Sequence, residues 1–549
     1  MYRIVSRRLP LLLILFLAFT LRLMSALFLM GSIDTEGAEY ARIAENLLNG
    51  NGYVGMATPG TELMFPPLFP LLIAGVSVVT HQPEIAGRLI SITAGTLLVL
   101  QVFYIALYLY RRDVAYVAAT LAACHPLLVG YASTVFVETT YITLVLSGAY
   151  WSLRCLSLPT PQAFLLVGLF FGLAYLCRPE AALYPFATIL FLAAATFVTN
   201  RRQLGQVARH CALLFTVSLL LAIPYVTWLS VKTGQFRWEG KTPLNYPIVA
   251  SQIAGIDPSE LEFAISEDLE EKGLFNRSNL TVIESTKFNF AQVLHTTLAN
   301  APSSLSYITK TIAATAGLGS PPLFGLVVLG LFGRPWNREL MISQFYFIFV
   351  ILGVASLSLL SVSVIYLRYL LLFLPVLIIW ASNGVILVSD WASATGAPNT
   401  QKATKAVGLI TSMALVLLTA LLGHASWGFT LFDYRSSPVK EAGKWLAAFT
   451  SGPKTVMDGS GNLTFHAGAS FLSFPYSDSA LALKYIDEKK VDFIVLRDGW
   501  LGWLPPVPYA KDWLENGIPD RRAQLIYNER TPARGPARGR ILIYKWNSN

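Results

Sequence analysis

Charge is scarce in this chain: of 549 residues, Asp, Glu, Lys and Arg make up 13%, against 54% hydrophobic residues. That balance excludes an ordinary soluble enzyme and points to a polytopic membrane protein. Cysteine is nearly absent. Its four copies (Cys124, Cys155, Cys177, Cys211) lie in or beside apolar segments, which excludes a disulfide framework, so any exported region must fold on its core alone. The six histidines are scattered without metal-ligand spacing. Heptads, solenoid repeats and low-complexity tracts are missing. The tail shows no Gly-rich strand-turn-helix phosphate loop, which argues against a Rossmann-type nucleotide site there. The N-terminus, MYRIVSRRLPLLLILFLAFTLRL, lacks a convincing small-residue cleavage site and its apolar run is long, so it reads as a retained first span.

Long apolar runs are plentiful. Segments near 9–30, 85–109, 113–133, 136–153, 163–177, 182–199, 211–231, 321–333, 341–362, 365–388 and 405–424 predict an α-helical polytopic protein with about eleven transmembrane helices. With the N-terminus in the cytoplasm, the inside loops carry Arg3, Arg7 and Arg8, then Arg111 and Arg112, Arg154, Arg201, Arg202 and Arg209, Arg334 and Arg338, and Lys402 and Lys405. Every inside loop is basic, as membrane orientation requires. This pattern accounts for the net charge of +9 without a nucleic-acid partner.

Three polar regions then fall outside. Residues 31–84 contain SIDTEGAEYARIAENLLNGNGY, in which Tyr40, Ile43, Ala44 and Leu47 share one helical face and NGNG ends the helix. Asp34, Glu36, Glu39 and Glu45 stand close to the membrane edge. PPLFPLLIAGVSVV is too short to span and predicts an interfacial helix or half-span. A second loop, about 232–320, is acidic around SEDLEEKG and long enough to cover a site. Residues 433–549 alternate helix and strand (SPVKEAGKWLAAF, KTVMDG, SDSALALKYIDEKK, VDFIVLRDG, GRILIYKW), predicting a small C-terminal extracytoplasmic α/β domain after a membrane domain over 1–432.

The run DTEGAEYARIAENLLNGNGY, then FPPLFPLLIAG and AGRLIS, resembles the GT-C-type glycosyltransferases that use polyprenyl-phosphate sugars. These include protein O-mannosyltransferases and the bacterial enzyme that adds aminoarabinose to lipid A. The resemblance continues in HPLLVGYASTVFVETTYITL, GLAYLCRPEAAL and YLRYLLLFLPVLIIWASNG, covering most of residues 20–385. It implies a GT-C-like membrane fold and, four residues before a Tyr of the first outer loop, a catalytic carboxylate. Glu36 holds that place relative to Tyr40. The family's usual Asp-Glu pair is replaced here by Glu36-Gly37, so Asp34 stays open as the alternative base, with Glu36 favoured; Glu39 and Glu45 read as solvated or paired.

Four further charged residues attract attention at the expected outer rim. Glu138 in VFVETTY lies near membrane depth, where an acid is either paired or functional. The resemblance implies a second site acid; an ion pair with Arg22 or Arg88 is the structural alternative. Arg178 in CRPEA, Arg368 in YLRYL and Arg88 in AGRLIS fall on the outer side, where orientation does not explain them. Guanidinium groups suit a lipid phosphate, although snorkelling serves equally for each alone. Tyr369 lines the same cavity or anchors at the interface.

The resemblance therefore implies a membrane glycosyltransferase, hexosyl- or pentosyl-transferring and mannosyltransferase-like. Its donor would be a sugar on polyprenyl phosphate, undecaprenyl phosphate in a bacterial inner membrane, and its acceptor a protein, lipid or glycan, with inversion at the sugar. No cofactor is expected; the acids could support a divalent metal, which is not favoured. A transporter or flippase for a lipid-linked sugar is the competing class, for which the chain lacks the internal repeat with matching broken helices.

Overall fold

The computed structural model describes residues 2–28, 31–56, 60–241, 264–272, 321–333, 336–360, 367–395, 400–426, 438–498, 507–530 and 539–547. The membrane part begins with α1 (Tyr2–Phe28), α2 (Thr35–Leu48), α3 (Leu68–Thr80), α4 (Pro83–Leu109), α5 (Arg112–Cys124), α6 (Pro126–Tyr131), α7 (Val137–Ser157), α8 (Pro161–Tyr175), α9 (Leu183–Thr199) and α10 (Leu204–Thr233). It continues with α11 (Pro321–Phe332), α12 (Arg338–Phe345), a π-helical stretch Tyr346–Leu352, α13 (Gly353–Leu360), α14 (Phe373–Thr395) and α15 (Gln401–Ser426). Among the described residues six helices are long and apolar enough to cross a membrane, within Leu9–Phe28, Pro83–Leu109, Pro179–Thr199, Arg201–Thr233, Arg338–Leu359 and Phe373–Thr395. The other expected spans are helical too, with α5, α8 and α11 shorter than a full crossing. At 13 residues, α3 reaches about 20 Å, too short for a full crossing, as its length in sequence suggested. All four cysteines are free.

The span expected over 113–133 is a correction. It breaks at His125, which is extended (φ −64°, ψ 123°) because the following Pro126 disfavours the helical region, and Pro126 then opens α6 at its first turn. Arg22 of α1 is fully buried at this break and donates to the carbonyls of Ala18 (3.0 Å), Ala123 (3.1 Å) and Ala122 (3.3 Å). A cation set on the carbonyl end of α5 complements the helix dipole. Arg22 is thus a helix-terminus clamp.

α4 packs against α1, α3, α5 and α7; α7 packs on α8, which packs on α10; α14 packs on α5, α11 and α15. Between α11 and α14 the backbones nearly touch, so that a Cβ at Gly330 would fall 1.6 Å from the Trp380 carbonyl oxygen.

The tail holds a five-stranded sheet of order β4-β3-β5-β7-β6, where β3 is Thr455–Asp458, β4 Ser470–Leu472, β5 Phe493–Arg497, β6 Ala523–Arg530 and β7 Arg540–Trp546; a separate two-stranded antiparallel ribbon from the segment after α10, β1 (Ala264–Ile265) and β2 (Glu271–Lys272), buries Ile265 in the core of the tail. β3 runs parallel to β4 and β5, and β7 antiparallel to β5 and β6. The central β5 is buried on both faces: Ile494 and Leu496 join a core with Tyr485, Trp513 and Tyr544, while Phe493 and Val495 join Ala442, Leu446 and Ile543. Its helices are α16 (Pro438–Phe449), α17 (Gly461–His466), α18 (Ser479–Glu488) and α19 (Pro508–Asn516). Contrary to expectation, the tail does contain a Gly-rich strand-turn-helix: β3, then Gly459-Ser460-Gly461, then α17. The turn is filled by the buried Arg497, which donates to Asp458 Oδ1 (3.1 Å), Asn462 Oδ1 (3.1 Å) and the Ser460 hydroxyl. The same network occupies the sequon at Asn462, with Thr464 fully buried. The sequons at Asn276 and Asn279, and most of the 232–320 loop, lie outside the described residues.

Candidate active site

The segment between α1 and α3 is built around α2. Asp34 caps it, accepting from the Glu36 N–H at 3.2 Å, and its Tyr40–Ile43–Ala44 stripe is buried. Tyr40 sits edge-on between Phe65 (4.9 Å) and Phe69 (5.1 Å) at the head of α3. Gly50 and Gly52, at φ 77° and 81°, make the left-handed turns that end the helix. Glu39 is not solvated. It is buried and accepts from the Met56 N–H through both oxygens at 2.9 Å, pinning the returning loop, whereas Glu45 pairs with Arg42 at 3.2 Å.

Glu36 occupies the first turn of α2. Its Oε1 accepts from the Tyr40 hydroxyl at 3.0 Å, and its Oε2 is ion-paired with Arg368. Arg368 lies in the 3₁₀ turn Leu367–Leu370 that leads into α14. It also approaches Glu138 at 3.6 Å, and Glu138 accepts from Arg178 at 3.3 Å. Arg178 in turn pairs with Glu180 at 2.5 Å. Arg178 is extended (φ −148°, ψ 127°) because Pro179 follows it, and this turns it out of the α8 axis. Glu138 is in the first turn of α7, where the helix dipole favours an anion. Tyr369 stands between the two guanidinium groups, 4.8 Å from that of Arg178 and 5.3 Å from that of Arg368; Tyr141 and Phe136 flank the outer sides at 5.5 and 5.6 Å.

Five positions singled out in the sequence (Glu36, Glu138, Arg178, Arg368 and Tyr369) are therefore drawn from α2, α7, the α8–α9 turn and the turn before α14 into one cluster. Asp34 caps the helix that carries Glu36 and lies within electrostatic reach of Arg368. Arg88 is tied elsewhere: it pairs with Glu84 at 2.7 Å and donates to the Ala26 carbonyl at 2.8 Å, while Lys440 of the tail holds Glu84 from the other side at 2.8 Å. The expected partners of Glu138 are likewise corrected, since Arg178 and Arg368 pair with it in place of Arg22 and Arg88.

Burial opposes ionisation of Glu36, but Arg368, then Lys241 and Arg178, outweigh it and hold this carboxyl well below the usual carboxylate range. Burial and the Glu36 charge push the Tyr40 phenol well above its ordinary value, so Tyr40 remains a donor. One oxygen of Glu138, Oε2, is buried with no hydrogen-bond partner among the described residues, an orphaned acceptor in the middle of the site. Lys241 was missed in the sequence because it stands in a polar loop with no motif around it.

The tail closes one side. The Ser32 hydroxyl is 3.3 Å from His466 Nε2, Arg42 donates to the Ala469 carbonyl at 3.5 Å and lies 5.6 Å from the Phe465 ring, and Met56 touches Gly461. α2 is thus gripped between α3 and α17.

A sequence profile of the dolichyl-phosphate-mannose-protein mannosyltransferase family matches residues 65–228. No curated protein sequence matches the chain significantly. Among solved structures, oligosaccharyltransferase AglB from Archaeoglobus fulgidus, in complex with an inhibitory peptide and a dolichol-phosphate, superposes with a TM-score of 0.54 at 14% identity, over 89% of this chain and 69% of that one. ArnT from Cupriavidus metallidurans, bound to undecaprenyl phosphate, superposes with a TM-score of 0.53 at 12% identity, over 97% of both chains. The fold is the GT-C type.

Proposed function

We propose that this GT-C-type glycosyltransferase, an integral membrane protein, moves a sugar from a polyprenyl-phosphate donor to an acceptor at the outer rim of the bilayer, with Glu36 as the base. The observation that carries the reading is the convergence of Glu36, Glu138, Arg178, Arg368 and Tyr369. The donor phosphate is bound by Arg178 and Arg368, whose forked donors suit a phosphate. In doing so it replaces Glu36 as a partner of Arg368, and the released carboxylate regains proton affinity. That release matters, because a carboxylate neutralised by an arginine is a weak base.

Glu36 then takes the acceptor hydroxyl proton as the acceptor oxygen attacks the anomeric carbon. The bond from that carbon to the phosphate oxygen breaks on the opposite face, inverting the centre, and the lipid phosphate leaves with the bonding electrons. The guanidinium pair stabilises the growing phosphate charge. The orphaned Glu138 oxygen suits a hydroxyl of the donor sugar. Asp34 supports Glu36 through the helix cap. Arg88, held by Glu84, braces the seam between α4 and the tail.

Arg368 bridges Glu36 and Glu138, and in this proposal the two acids serve as base and sugar contact, with no divalent metal assigned to them. The basic loops support an N-terminus in the cytoplasm and the tail outside; the proposal takes the membrane as a bacterial inner membrane and the carrier as undecaprenyl phosphate, the lipid bound to the ArnT neighbour.

The test is to reconstitute the purified chain in vesicles with radiolabelled polyprenyl-phosphate sugar and outer-leaflet acceptor extracts. Covalent transfer of label to protein, lipid or glycan is expected. Label that crosses the bilayer still attached to its lipid would establish a flippase instead.

A further inference from the structure

The charged groups of the site are already committed to one another. Arg178 faces Glu138 and Glu180, and Arg368 faces Glu36 and Glu138, so three carboxylates meet two guanidinium groups. A phosphate ester entering this cluster adds further negative charge to an already anionic group. A third cation in reach would relieve that conflict.

The loop that follows α10 brings one. α10 stops at Gly234 (φ 69°), and the chain turns back under several constraints. The Ser230 hydroxyl accepts from the Arg237 N–H at 3.0 Å, and the Tyr175 hydroxyl donates to the Trp238 carbonyl. Gly240 is pressed on the first outer loop, so that a Cβ there would fall 1.8 Å from the Leu63 carbonyl oxygen; only glycine permits this approach. The buried Glu239 accepts from the Lys241 N–H at 2.7 Å. Backbone contacts on both sides thus set Lys241 beside Leu63 and Met64, next to the Phe65 that packs on Tyr40, the hydrogen-bond donor to Glu36, and its positive charge is among those that hold the Glu36 carboxyl down. Among the described residues no carboxylate forms an ion pair with its ammonium, in contrast to both arginines.

We infer that Lys241 is the third cation of the anion pocket and contacts the phosphate of the lipid-linked donor. The inference rests on the glycosyltransferase reading above. A flexible ammonium held at the rim suits a charge that must arrive and then depart with the lipid. The arginines give direction, and Lys241 offsets the surplus of carboxylates. The same chemistry would also suit a phosphate carried by the acceptor, and the experiment separates the two.

Binding of undecaprenyl phosphate to the purified full-length protein would be measured for the wild type, Lys241→Gln, Lys241→Arg and Arg368→Gln, with melting temperatures alongside and with transfer kinetics varying donor and acceptor separately. Lys241→Gln is expected to weaken undecaprenyl phosphate binding and raise the donor KM about tenfold, as for loss of one charge-assisted contact. Lys241→Arg should recover to within about threefold, and the melting temperature should not move. Unchanged lipid-phosphate binding and donor KM in Lys241→Gln, with Arg368→Gln impaired, would overturn the inference and leave the site reading intact. A rise confined to the acceptor KM would also overturn it, by assigning Lys241 to the acceptor. If Arg368→Gln binds undecaprenyl phosphate as the wild type does, the site reading itself falls.

Discussion

Glu138→Gln separates two roles that a buried acid between two arginines can have. The carboxylate is 2% exposed, 3.3 Å from Arg178 and 3.6 Å from Arg368. Removing one partner of a buried ion pair costs about 3–5 kcal/mol when the other charge is left alone. Here each arginine retains a second carboxylate, Glu180 or Glu36, so a loss of about 1–3 kcal/mol is expected. The effect on ligand runs the other way. The three carboxylates against two guanidiniums become two against two, and a phosphate held by both arginines would sit roughly 7 Å from the lost charge. At an effective dielectric of about 20 that repulsion is ~2 kcal/mol, and screening brings the expected gain in undecaprenyl phosphate affinity to about tenfold. Undecaprenyl phosphate carries no sugar, so this measurement isolates the charge effect from any contact between Glu138 and the donor sugar. Thermal unfolding in detergent and lipid-phosphate titration would be run on the same preparation. A variant that melts lower and binds the lipid phosphate no more tightly would refute the idea that Arg178 and Arg368 form the anion site.

Asp34→Ala should destabilise by about 1 kcal/mol through loss of the α2 cap, whereas Asp34→Asn keeps a capping oxygen and should retain most transfer activity; loss of all activity in Asp34→Asn with a normal melting temperature would move the base to Asp34. Tyr40→Phe deletes the 3.0 Å bond to Glu36 and is expected to lower kcat about tenfold or more with donor KM little changed; an unaltered kcat would remove Tyr40 from the positioning of Glu36. Burial pushes the His466 imidazole down to about 4 from an ordinary 6.5, against the pull of Glu84. Between those values the unfolded chain binds a proton that the folded chain refuses, so stability falls as pH drops from about 6.5 towards 4 and is fully present above 6.5. His466→Gln should flatten that acid-side decline in melting temperature, and an identical slope in the variant would contradict the assignment.

Local signals made much of this readable in advance. The α2 stripe, the proline-headed α3 and the alternation in the tail are decided by neighbouring residues, and each element formed where the pattern lay. The arginines of the site stood out because they broke the basic-inside rule. What escaped depends on distant partners. The tie of Arg88 to Glu84 is completed by Lys440, and the burial of Glu39 depends on a loop returning through Met56. β6 was missed because AQLIYNER mixes polar and apolar residues at a sheet edge. The Gly459–Gly461 turn looked unremarkable until Arg497, on another strand, was found inside it. His125-Pro126 carried a readable stop signal, but the surrounding hydrophobicity masked it.

The central claim is that the carboxylate paired with Arg368 takes the acceptor proton, and Glu36→Gln tests it most directly. Sugar transfer by the purified variant would be measured from radiolabelled polyprenyl-phosphate donor, with the melting temperature confirming the fold. Transfer reduced to background, with the fold and undecaprenyl phosphate binding retained, is the predicted result. Wild-type transfer by Glu36→Gln would contradict the account.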